Sequence, residues 1–164
     1  IKNICPLEHA VNKIIEKLEN TDLKKSFTFI IDKSVRSFGL FIEMSRLLYV
    51  LTEMMDAAAV IAPDGVCTVR ITADTDILNI TLIDRSKLKN ARLRDIRIKI
   101  LSVVFSLLGV DINKRLENNG HIILSATVPL EKQPYRLREP EIGEELVSYL
   151  SFSLAFYGLL LREQ

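Results

Sequence analysis

Cysteine is nearly absent from this chain. Only Cys5 and Cys67 occur, with no CxxC pair and no His/Cys cluster, so neither a disulfide framework nor a zinc site is available, and a reducing, cytoplasmic setting is expected. Histidine is as scarce. His9 reads as a surface or capping residue and His121 as a strand residue; neither has a serine, cysteine or acidic partner at a catalytic spacing, which leaves nucleophilic catalysis without support. An excess of charge of one sign is also missing: 22 Lys+Arg face 21 Asp+Glu. The basic residues are scattered, so there is no electrostatic footprint for nucleic acid. Residues 146–161 carry no charge, but the run falls short of the roughly 18 residues of a spanning helix, and Ser148, Ser151 and Ser153 interrupt it. A membrane role is therefore not expected. The chain opens on Ile1 with no basic, apolar and small-residue leader, and reads as a fragment without a signal peptide.

What is present is a core. With 164 residues, 48% of them hydrophobic and 26% charged, the chain suits one full domain, placed over 1–130, and a tail over 131–164 that joins a linker to an apolar C-terminal helix. After Pro6, the residues Leu7, Val11, Ile14, Ile15 and Leu18 repeat at helical spacing up to about Asn20. "KSFTFIIDKS" alternates as a strand. A long helix is expected from Phe41 to about Ala62, with its stripe on Leu47, Leu48, Leu51, Met54, Met55 and Ala58, stopped by Pro63, Asp64 and Gly65. "VCTVRITAD" and "ILNITLID" form a hairpin, and the charged "RSKLKNARLRD" leads into the helix "IRIKILSVVFSLLG". A second hairpin follows, turning at Asn119-Gly120 and ended by Pro129. Helices alternating with antiparallel pairs predict an α+β fold, a two-layer sandwich with helices packed on one face of a mixed β-sheet, plus the C-terminal helix.

The order of several short patterns carries a resemblance. "APDG" after the long helix, then "CTVRI", "LNITLID", "LSVV" and "TVPL", make residues 4–130 resemble the ATP-binding catalytic domain of sensor histidine kinases. This is the Bergerat, or GHKL, fold shared with DNA gyrase, the MutL repair proteins and the large heat-shock chaperones. The resemblance implies a nucleotide site on this chain at Glu53, Ala57 and Asp84. Ala57 stands where the family has its metal-binding asparagine, and a methyl group cannot supply the oxygen that magnesium requires. Glu53, one turn earlier on the same face, corresponds to the water-activating glutamate of gyrase-like members; with no metal ligand beside it, it is expected to be a solvated or paired carboxylate. Asp84 matches the aspartate that binds the adenine amino group, but "RSKL" follows it instead of the family's glycines. Residues 85–108 contain no glycine at all, so the phosphate-closing lid has no backbone nest to offer.

The pattern thus implies a degenerate nucleotide pocket, with Glu53 as a relic base and no cofactor. The expected function is a non-catalytic protein-interaction or phosphotransfer-adaptor module of a phosphorelay. Bacterial histidine phosphotransferases, which join a phosphorylatable helical hairpin to a degenerate domain of this kind, are the nearest functional analogy. The alternative is a divergent but active histidine-kinase or ATPase domain using ATP and Mg²⁺. On the first reading the partner is a response-regulator receiver domain or a kinase, contacting Arg92, Arg94 and Arg97 or the long helix. Leu146, Leu150, Leu154 and Tyr157 would form an apolar stripe on the last helix, more than a solvated helix should expose. That stripe is expected to be buried on its own domain, on a partner, or on a second copy in a homodimer.

Overall fold

The structure, a computed structural model, describes residues 4–21, 23, 25–62, 65–86, 91–117 and 121–132. The elements run β1 (Ile4–Pro6), α1 (Leu7–Glu19), β2 (Ser26–Ile31), a 3-10 turn (Lys33–Arg36), β3 (Phe41–Glu43), α2 (Met44–Ile61), β4 (Val66–Ala73), β5 (Ile77–Asp84), α3 (Ala91–Leu107), β6 (Asp111–Leu116) and β7 (Ile122–Pro129). Strands order as β2-β4-β5-β7-β6, with β2 and β4 parallel and the remaining pairs antiparallel. This is the expected α+β sandwich with a mixed sheet.

Alternation decides what each layer buries. Cys67, Val69 and Ile71 of β4, Leu78, Ile80 and Leu82 of β5, and Leu124, Ala126 and Val128 of β7 face the helices, and all are essentially inaccessible. On α1 the buried stripe is Leu7, Ala10, Val11, Ile14, Ile15 and Leu18. α2 is buried on nearly every side, including Thr52 and Asp56, because α1, α3 and the sheet all pack against it. Ser45, Arg46, Tyr49 and Glu53 are the only residues of α2 left partly exposed, so the expected contact with the long helix is confined to that narrow stripe.

Two boundaries differ from expectation. The long helix begins at Met44, because Phe41–Glu43 instead pairs antiparallel with β1 and Phe41 also bridges Glu131. Local apolar periodicity cannot reveal that pairing, since β1 and β3 lie far apart in sequence. α3 begins at Ala91, so "ARLRD" belongs to the helix: Leu93 packs against Ala59 and Val60, and Arg97 is buried. In β7, Ile123 is buried together with Ile122 and Leu124, so strict alternation fails at the start of that strand. The turns at Pro63-Asp64 and Asn119-Gly120 and the whole C-terminal helix, with Leu146, Leu150, Leu154 and Tyr157, lie outside the described residues.

Candidate functional site

β5 ends on Asp84, whose strand phase points its carboxylate to the core face alongside Leu82 and Ile80. At 4% exposure, an ionised carboxylate there needs a partner. Lys25, just ahead of β2 and 2% exposed, supplies it: its Nζ lies 3.0 Å from Asp84 Oδ2. The same ammonium donates to the Ala62 carbonyl at the end of α2 and to Ser86 Oγ at 3.3 Å. The Ser86 amide donates to Asp84 Oδ1 at 2.9 Å. Gly65 lies beside the cluster: its φ of +94° is one that side-chain-bearing residues rarely adopt, and a Cβ there would run into the Ser86 side chain. Cys67 is the register partner of Asp84 on β4. Burial, reinforced by the Asp84 charge and partly offset by Lys25, pushes its thiol up to about 12.

A second cluster joins α2 to α3. Arg97 is 5% exposed, and its Nη2 stands 3.3 Å from Glu53 Oε2 and 3.2 Å from Asp56 Oδ2. Glu53 and Asp56 are three apart on one helix face, so a single guanidinium spans both. Burial raises the Asp56 carboxyl to about 6, outweighing the opposing pull of Arg97, with the Glu53 charge adding to the rise. Ala57, one turn after Glu53, is wholly buried in the main core.

The three expected site residues therefore do not converge directly. Glu53 and Ala57 share a face of α2, whereas Asp84 joins the end of that helix through Lys25 and the Ala62 carbonyl. Of the basic residues expected on the surface, Arg92 is exposed and Arg94 is half-buried, donating to Asp95 at 2.9 Å. That bond holds the Asp95 carboxyl below its usual range. Arg97 is a correction, because a guanidinium already committed to two carboxylates is not a free docking cation. Sequence reasoning missed Lys25, Asp56, Gly65 and Ser86. A lone acid in the apolar stretch "MMDAAAVIA" was the available sign for Asp56; nothing in "LKKSF" distinguishes a buried lysine from a solvated one. Among the described residues, no group of three or more His, Cys, Asp or Glu converges as a metal site. No described helix is long and apolar enough to cross a membrane.

No protein-family profile matches the chain, and no curated protein matches it. Solved structures do. The Acinetobacter baumannii histidine kinase AdeS aligns over 79% of this chain and 67% of its own, at 11% identity and a TM-score of 0.54. The catalytic domain of the histidine kinase ThkA, in a nucleotide-free form, aligns over 82% of this chain and 97% of its own, at 13% identity and a TM-score of 0.51. The mixed sheet and the helices packed on it accordingly have the fold of these histidine-kinase catalytic domains.

Proposed function

We propose that this chain is a histidine-kinase-like domain that has given up nucleotide binding and works as a protein-interaction or phosphotransfer-adaptor module in two-component signalling. The observation that carries this reading is the Lys25–Asp84 pair. On the resemblance, Asp84 is the group that would accept the adenine amino hydrogen; here a fully buried ammonium lies 3.0 Å from Asp84 Oδ2 and also donates to the Ala62 carbonyl at the end of α2 and to Ser86 Oγ. Inserting a base would require breaking an ion pair away from water, which is strongly unfavourable.

The magnesium side fits no better. Ala57 offers a buried methyl where an oxygen ligand is needed. The nearest carboxylates, Glu53 and Asp56, are held by Arg97 rather than left open to a cation. The residues present do not fit a magnesium nucleotide, and no phosphoryl-transfer step follows from them. A module of this kind acts by contact with other signalling proteins, a receiver domain being the partner whose docking the fold's role would call for. Arg92 and Arg94 at the start of α3 remain the candidate contact after Arg97 is removed from it. Calorimetric titration of the chain with ATP and ADP, with and without Mg²⁺, tests the reading up to millimolar ligand, where binding is worth about 4 kcal/mol. No heat and no change in melting temperature are expected. Magnesium-dependent binding overturns the proposal and restores the reading as an active ATPase-type domain.

A further inference from the structure

β6 is the outermost strand of the sheet on the side opposite β2, and among the described residues it pairs with β7 alone. The orientation of its backbone follows from one bond. The Glu117 amide donates to the His121 carbonyl at 3.0 Å, and these two residues continue the register that sets Asp111 against Thr127 and Arg115 against Ile123. Hydrogen-bonded positions alternate with non-bonded ones in an antiparallel ladder. Asp111, Asn113 and Arg115 therefore turn their backbone groups to β7, while Ile112, Lys114 and Leu116 turn theirs away from it, where an added strand would bind them. The side chains alternate too. Lys114 lies on the helix side and reaches Asp95 of α3 at 3.7 Å; Asp111, Asn113 and Arg115 lie on the outer face, and all three are exposed.

Basic residues on an edge strand ordinarily deter pairing. β6 also carries the opposite charge, at a spacing that makes the strand complementary to itself. We infer that β6 docks against β6 of a second copy of this chain, antiparallel about a two-fold axis at Asn113. In that register Ile112 of each copy exchanges its outward backbone bonds with the partner's Lys114, and Asp111 stands across from the partner's Arg115 on the outer face. The Arg115 side chain is 73% exposed and lies 3.8 Å from Glu117 within its own copy, so it is accessible from across the axis. The other registers that bring the outward-facing groups together lack this match. An axis at Lys114 opposes that ammonium to its own copy and Asp111 to Glu117, an axis at Arg115 opposes two guanidinium groups, and an axis at Ile112 leaves Asp111 facing Asn113. Like charges directly opposite one another destabilise a strand pair. The contact is isologous: it joins the two sheets edge to edge and covers the β6 edge of both copies. None of the residues of the nucleotide pocket takes part, so this inference stands apart from the fate of that pocket.

Sedimentation equilibrium of the full chain over a range of concentrations is the test, and the wild type is expected to dimerise. Asp111→Arg and Arg115→Asp each set like charges against one another at both symmetric positions, and each should weaken the dimer by about tenfold. An equimolar mixture of these two variants places opposite charges at both positions again and should recover the association. Lys114→Pro removes an outward-facing amide, which an edge strand tolerates, and should give a monomer with the far-UV circular dichroism of the wild type. A monomeric wild type overturns the proposal. So does a dimer that the charge reversals leave unchanged, or a mixture that associates no better than its two components.

Discussion

Replacing Lys25 by methionine keeps the length of the side chain and removes its charge. Asp84 would then remain 4% exposed with no cation beside it. At the 3.0 Å separation, an effective dielectric near 20 gives an attraction of about 5 kcal/mol, and stranding one partner of a buried pair typically costs about 3–5 kcal/mol. For a chain of this length that corresponds to a fall in melting temperature of roughly 10 °C. Combining Lys25→Met with Asp84→Leu removes both charges, and replacement of a whole buried pair by apolar groups is commonly neutral or stabilising. The double variant is therefore expected to recover most of the loss. Urea unfolding of the wild type, both single variants and the double variant closes the cycle, with a coupling of about 2–4 kcal/mol. A single-variant cost below about 1 kcal/mol would refute the reasoning, because it would mean that water reaches Asp84 and that the pocket is open to a base.

Two further outcomes follow from the other titrating groups. The Asp56 carboxyl is raised to about 6 in the folded chain from a starting value of 3.8, so the native state holds the extra proton between these values and stability falls as pH rises through that window. Going from pH 7 to pH 5 should add about 1 kcal/mol through this group. Urea midpoints at both pH values should show that increment in the wild type and lose it in Asp56→Asn; equal increments in the two proteins would refute the assignment. The thiols of Cys5 and Cys67 are pushed by burial up to about 11 and about 12. A disulfide thiol reagent at pH 8 should accordingly react with the native chain at least about a thousandfold more slowly than with the urea-unfolded chain. Rapid labelling of the native protein would contradict the buried placement of both residues.

The layers of the fold were legible because they are written in local periodicity. The stripe on α1, the hairpin of β4 and β5, and the inward phase of Leu78, Ile80 and Leu82 all follow from spacing within one element. β3 was not legible. Phe41–Glu43 is a strand only because Ile4–Pro6 lies beside it, and without that partner three residues ahead of a strong helix read as its first turn. The site was half legible for a related reason. Ala57 and the missing glycines are properties of single positions, whereas the Lys25–Asp84 and Arg97–Glu53–Asp56 contacts link residues brought together only by tertiary packing. Basic residues such as Arg97 read as solvated until the burial of their helix face is known.

The parallel pairing of β2 with β4 has a consequence for the order in which the molecule assembles. The β4–β5 hairpin can zip across a short turn, but β2 reaches β4 only after the chain has run through β3 and the whole of α2. Contacts of such high sequence separation form late. β2 is also the outermost strand on its side of the sheet, where native proteins open first. Lys25 immediately precedes that strand, so Asp84 acquires its ammonium only when β2 docks and loses it whenever β2 detaches. The Lys25–Asp84 pair thus lasts as long as the attachment of one edge strand, and excursions that peel β2 away break it while the central hairpin stays folded.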